Sequence, residues 1–185
     1  MAVTPSNMLP LGTKAPDFQL SDTCTDKVMT LAALKSDIAT VVMFICNHCP
    51  YVKLIQQQMV ATALAYQAKG IHFIAISAND AAAYPQDGPA EMKQEAALHH
   101  YPFPYLYDAT QQTAKAYQAA CTPDFYIFDK NLLCVYRGRF DNATPGNGQP
   151  VTGKDLTDAL DAVLAGRSIA SEQLPSHGCN IKWRK

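Results

Sequence analysis

Apolar positions in this chain fall into two rhythms. Continuous β-branched runs predict buried strands: IATVVMFI from Ile38 to Ile45 and IHFIAIS from Ile71 to Ser77, with FPYLYD (Phe103 to Asp108) a shorter third. From Pro50 the spacing turns helical. Val52, Ile55, Met59, Leu64 and Tyr66 recur with polar residues between them, and Gly70 supplies a stop. A second helix is predicted from Pro89, with Glu91 in its first turn. The stretch 109–119 reads as a third helix. GKDLTDALDAVLAG reads as a last one, with Leu156, Leu160, Val163 and Leu164 on one side. Ahead of the first run, DFQLSD and KVMTLAAL predict a short hairpin, and DFYIFDKNLLCVYRGRF two strands about a polar turn at Asp129-Lys130-Asn131.

The order βαβαβαββα predicts an α/β fold, a central mixed sheet flanked by helices with an N-terminal β-hairpin and a C-terminal tail. Right-handed crossovers make the helix-joined strands parallel, and the last hairpin adds an antiparallel edge. One domain is expected over 1–185, with its core at about 11–166 and an irregular tail over 167–185.

The chain has 185 residues, enough for one domain with a core that needs no disulfide staples. Its net charge of −1 contains no Lys/Arg block, so neither nucleic acid nor an anionic membrane is an expected partner. No stretch approaches the ~20 apolar residues of a membrane span. The start, MAVTPSNMLPLGTKAPDF, lacks a basic and apolar leader, and a cytoplasmic location is expected. In that compartment a close cysteine pair is catalytic or metal-binding rather than structural.

That pair stands in FICNHCPYV, directly after the first buried strand. A helix starting at about 47–50 places Cys46 at its N-terminus, where free N–H groups and the dipole favour a thiolate. Cys49, three residues on, comes within disulfide reach, and a protonated His48 stabilises the charge further. A zinc site would need a second ligand pair, and Cys121, His177 and Cys179 are isolated, so no metal is expected.

Strand–CxxC–helix, with Thr122-Pro123 ahead of a later strand in CTPDFYIFD, resembles the thioredoxin-like superfamily over about 11–166. LGTKAPDFQLSD and the long middle insertion resemble its AhpC/TSA and TlpA/ResA-like branch. CNHCPYVK and the terminal GCNIKW are similar to peroxiredoxin-like or thioredoxin family proteins. The resemblance implies a thioredoxin-like fold and a cis Pro123 beside the dithiol, presenting the Thr122 backbone to a substrate chain. It also implies that Cys121 is near the dithiol, either as a third redox thiol or as a small buried hydrophobe. Cys179 is either a resolving thiol on a tail that folds back or an incidental exposed one; Gly178 permits a tight turn and Ile181 and Trp183 alternate as in an edge strand, so a docked tail that buries Trp183 is expected. Tyr51 and Trp183 offer substrate contact or ordinary packing. Cys24 and Cys134 are expected to be structural.

Two departures matter. The peroxiredoxin Pro-x-x-x-Thr/Ser-x-x-Cys motif fits neither cysteine, and its Arg position is occupied by Thr122-Pro123. Thioredoxin's buried Asp, six residues before the first cysteine, is Thr40 here. The resulting expectation is a thiol–disulfide oxidoreductase without a dissociable cofactor. Cys46 attacks, Cys49 resolves, His48 tunes the potential, and Thr122, Pro123 and Tyr51 contact a protein or small-molecule disulfide. An electron donor then restores the dithiol. The alternatives are a thiol peroxidase using Cys46 and a non-catalytic binding module.

Overall fold

The computed structural model describes residues 3–185. Strand β4 (Ala39–Phe44; β1 to β3 and α1 precede it and are placed below) is buried at every position. Its alternation builds two cores, because successive side chains in a strand point to opposite faces. Val41, Met43 and Ile45 pack with Val52, Ile55 and Met59 of helix α2 (Pro50–Gln67). Met92 of α3 (Pro89–Leu98) and Leu156 and Leu160 of α5 (Lys154–Leu164) share that face. Val42 and Phe44 meet Phe18, Leu31, Tyr117 and Tyr126 on the other. Each such fully buried side chain contributes about 1.5–3 kcal/mol. No helix among the described residues is long and apolar enough to cross a membrane.

Seven strands form the central sheet, in the order β3-β2-β6-β5-β4-β8-β9. Here β2 is Gln19–Asp22, β3 Val28–Thr30, β5 His72–Ser77, β6 Tyr105–Tyr107, β8 Asp124–Asp129 and β9 Cys134–Gly138. The expected mixed sheet, N-terminal hairpin and last hairpin are all present. Two local expectations change. Leu31–Leu34 is a short helix, α1, because the Thr30 hydroxyl accepts from the Ala33 amide and caps it. Helix α4 covers only Gln112–Ala116.

A third correction has consequences for the site. Strands β4, β5 and β6 are parallel, but β8, although preceded by a helix, runs antiparallel to β4. The first residue of β8, Asp124, thereby lies opposite Phe44, the last of β4. That register carries Thr122 and Pro123 to the end of β4 where the cysteine motif begins.

The tail is docked, as expected. Strand β10 (His177–Asn180) lies between β1 (Val3–Pro5) and β7 (Cys121–Thr122), making a second, three-stranded antiparallel sheet. Ile181 is buried, whereas Trp183 remains 38% exposed beside Lys115. Docking therefore uses Ile181 and not the indole.

Candidate active site

The Ile45 amide still bonds the Ile76 carbonyl, at 3.0 Å, and the chain then leaves the sheet. Helix α2 starts at Pro50, where the helical spacing begins. Cys49 is its N-cap and Pro50 its first residue, where a missing N–H costs nothing. Cys46 thus lies in the turn before the helix, and the terminus belongs to Cys49. Cys46 is 2% exposed and Cys49 fully buried.

A residue 39 positions away from His48 holds this turn in place. Asp87, fully buried, accepts the Asn47 amide at 2.9 Å and the His48 amide at 3.3 Å on one oxygen. Its other oxygen meets His48 Nδ1 at 2.5 Å and the Asn79 side-chain amide at 2.8 Å. A buried carboxylate is costly unless its oxygens are so matched, and charge-assisted bonds of this kind are the strong ones. The His48 ring also stacks on Tyr84, with centroids 5.6 Å apart. Nothing in the sequence marks Asp87 or Asn79, since both lie in a loop with no spacing relation to the cysteines. Cys46 Sγ, a His48 ring nitrogen and an Asp87 oxygen lie within 4.8 Å of one another. Three such groups can ligate a metal, but both Asp87 oxygens are already committed to N–H donors.

Thr122 touches both sulfurs. Its Oγ1 lies 3.4 Å from Cys46 Sγ, and its carbonyl oxygen is 3.1 Å from Cys49 Sγ. The Thr122–Pro123 peptide is cis, as the resemblance implied. Its edge is not open, however. Cys179 pairs directly with Thr122 and Asn180 with Cys121, so the backbone expected to receive a substrate chain is taken by β10. The physical reason is that a buried sheet edge must satisfy its N–H and C=O groups.

The two thiols influence each other's ionisation and so titrate as a pair. The first ionisation is drawn down to about 5 at Cys49. The Cys46 thiol bonding to its sulfur is the main cause, and the Cys179 thiol, the Thr122 hydroxyl and the Val52 amide add to it against the opposing effect of burial. The second proton is held well up on Cys46 by that same bond, then by burial and the Asp87 charge. Burial and the Asp87 charge thus work against the thiolate expected on Cys46. The 3.1 Å contact to the Thr122 carbonyl suits the opposite tautomer, in which Cys49 keeps its S–H and donates it.

Tyr51 and Pro123 line a cleft of about 40 Å³ together with Ile55, Phe140 and His177. A wider groove of about 590 Å³ opens on the other side, lined by Asn47, His48, Lys53, Gln86, Glu91 and Glu95. Cys121 is fully buried, 3.8 Å from the Pro123 carbonyl, and burial drives its pKa strongly upward, which fits the small-hydrophobe alternative. Cys134 is buried and Cys24 exposed. Thr40 accepts the Ser36 amide at 2.9 Å and is no acid. A buried carboxylate does follow Pro123: Asp124, pushed up to about 7 by burial while a Tyr126 hydroxyl at 2.8 Å works against the shift.

A cysteine pair at the strand-to-helix turn of a mixed sheet, beside a proline loop, defines a thioredoxin-like fold. A putative thioredoxin from Neisseria meningitidis is similar at 23% identity and TM-score 0.64, over 83% of this chain and 91% of that one. A putative thiol:disulfide interchange protein from Chlorobium tepidum is similar at 20% identity and TM-score 0.64, over 84% and 99%. Residues 11–137 match the AhpC/TSA family, and the chain belongs to it. An uncharacterized conserved protein from Geobacillus kaustophilus is 55% identical, with TM-score 0.98 over 100% of this chain and 97% of that one. No curated protein matches the chain.

Proposed function

We propose that the protein is a thiol–disulfide oxidoreductase in which Cys46 attacks a substrate disulfide and Cys49 resolves the intermediate. The observation that carries this reading is that one residue, Thr122, contacts both sulfurs of the pair, by its hydroxyl at Cys46 and by its carbonyl at Cys49. When the proton passes from Cys46 to Cys49, the new Cys49 S–H faces the Thr122 carbonyl. The Cys46 thiolate then faces the Thr122 hydroxyl. Attack breaks the substrate S–S bond and forms a mixed disulfide on Cys46, and the departing thiolate takes a proton from His48. Asp87 is the positioning residue that holds the imidazole. Cys49 then attacks the Cys46 sulfur, releasing the second substrate thiol and leaving a Cys46–Cys49 disulfide, which an external dithiol donor reduces.

Substrate enters through the groove beside His48. Because β10 covers the Thr122 edge, small or flexible disulfides fit better than a chain that must pair as a strand. Pro123 and Tyr51 border the opposite side. Family membership speaks for the competing reading, a thiol peroxidase. The arginines speak against it: Arg137 bonds Leu9 and Gln173, and Arg139 pairs with Asp155. The test is turnover of hydroxyethyl disulfide against hydrogen peroxide, in wild type and Cys46→Ser. Disulfide turnover should dominate and fall steeply in the variant, and faster Cys46-dependent peroxide consumption would reverse the assignment. Absence of both activities in wild type would leave the binding module as the better account.

A further inference from the structure

Strand β10 does more than cover an edge. Its Cys179 lies opposite Thr122, the residue that contacts both sulfurs of the dithiol. Cys46, Cys49 and Cys179 belong to one buried cluster, in which Cys49 and Cys179 influence each other's ionisation as close neighbours do. Gly178 fixes this approach: a Cβ there would stand 1.9 Å from the Thr122 carbonyl oxygen, so only glycine lets β10 come so close. The strand is also clamped on its far side, with Val3 opposite Cys179. Cys179 thus occupies, within the chain itself, the place beside the dithiol that an exchanging partner would take.

We propose that Cys179 is a third redox thiol, which exchanges with the oxidised dithiol to form a Cys49–Cys179 disulfide and return Cys46 to the free thiol. This rests on the reading of Cys46 and Cys49 as an exchanging pair. In the step, Cys179 sulfur attacks Cys49 sulfur. The Cys46–Cys49 bond breaks, the Cys49–Cys179 bond forms, and the electron pair leaves on Cys46. The proton lost by Cys179 ends on Cys46. One disulfide is present before and after, so no further oxidant or reductant enters. The oxidising equivalent moves from the motif to the strand at the Thr122 edge, and Cys46 is freed while it is stored there.

The test oxidises the full-length protein with hydroxyethyl disulfide, alkylates free thiols and maps bridges by mass spectrometry. Wild type should contain Cys49–Cys179 with Cys46 alkylated. Cys179→Ser should lose that Cys46 alkylation and contain Cys46–Cys49 alone. Cys46→Ser should form Cys49–Cys179 directly. Formation of Cys46–Cys49 in wild type, with Cys179 alkylated there and no Cys49–Cys179 bridge in Cys46→Ser, would overturn the relay and leave the dithiol reading standing. Absence of every bridge among these three cysteines would overturn both.

Discussion

The two cysteines of one four-residue motif sit in different chemistry. Cys46 faces a polar, charged wall built by His48, Asp87 and Asn79. Cys49 faces sulfur and backbone: Cys179, the Thr122 carbonyl and the first amides of α2. The first side can deliver and accept protons near a groove. The second can hold a negative charge and pass a disulfide inward. Sequence symmetry of the pair thus conceals a division of labour, set by which distant segment packs on each cysteine.

The sharpest break of the comparison is removal of one sulfur at a time. Cys46→Ser should lower disulfide turnover on the order of a thousandfold or more, since nucleophile and resolver act as a unit. Cys49→Ser should instead stall as a mixed disulfide on Cys46, visible as a mass increment on the intact protein. A mixed disulfide that accumulates on Cys49 in Cys46→Ser at the wild-type rate would exchange the two roles.

Next come the two packing supports, one for each side. Gly178→Ala forces β10 from Thr122 and should cost about 3 kcal/mol, the upper end for overpacking. Asp87→Asn leaves N–H donors facing a side-chain amide and should cost about 3 kcal/mol, a lowering of Tm by roughly 6–12 °C. The distinction lies in the coupling. A thermal-unfolding double-mutant cycle should show Asp87→Asn coupled to His48→Ala and not to Cys179→Ser. Equal coupling to both would merge the two environments.

The dependence of stability on pH sharpens the Cys49 side. The reduced native pair loses its first proton at about 5, whereas unfolded thiols lose theirs near ~8.5. Between those values the unfolded chain binds the additional proton, so stability rises with pH by at most about 1.4 kcal/mol per unit. Above ~8.5 the sign reverses, because native Cys46 keeps a proton that the unfolded chain has lost. Asp124, raised to about 7, acts oppositely at lower pH, since its native carboxyl retains a proton the unfolded one releases. The measurement is therefore the difference in Tm between reduced wild type and Cys49→Ser across pH 5 to 8. A flat difference would place the thiolate elsewhere.

The smallest effect concerns His48. Its charge, when present, is matched at 2.5 Å by Asp87, so little of it reaches the sulfurs. His48→Ala should make the couple more reducing by about 10–30 mV, which is roughly 0.5–1.4 kcal/mol, by glutathione equilibration. An unchanged or less reducing potential would confine His48 to proton transfer.

Much of this was legible in the chain itself. Buried strands β4 and β5, the helix after Pro50 and the dithiol between strand and helix follow from short-range signals: β-branched runs, helical spacing, a proline at a helix start. Such patterns are written within a few neighbouring residues. What they did not separate is which cysteine caps the helix: with Pro50 as its first residue the N-cap is Cys49, and Cys46 lies in the turn before it. The antiparallel entry of β8 left no local trace, since it depends on which end of β4 receives the chain. Neither did Asp87 under His48, and the alternation of Ile181 and Trp183 signalled a docked strand without naming Thr122 as its partner. These were decided by tertiary packing: a buried carboxylate needs N–H donors from wherever the chain brings them, and a buried edge needs a strand to satisfy it. Residues 39 or more positions apart meet there, and no periodicity connects them.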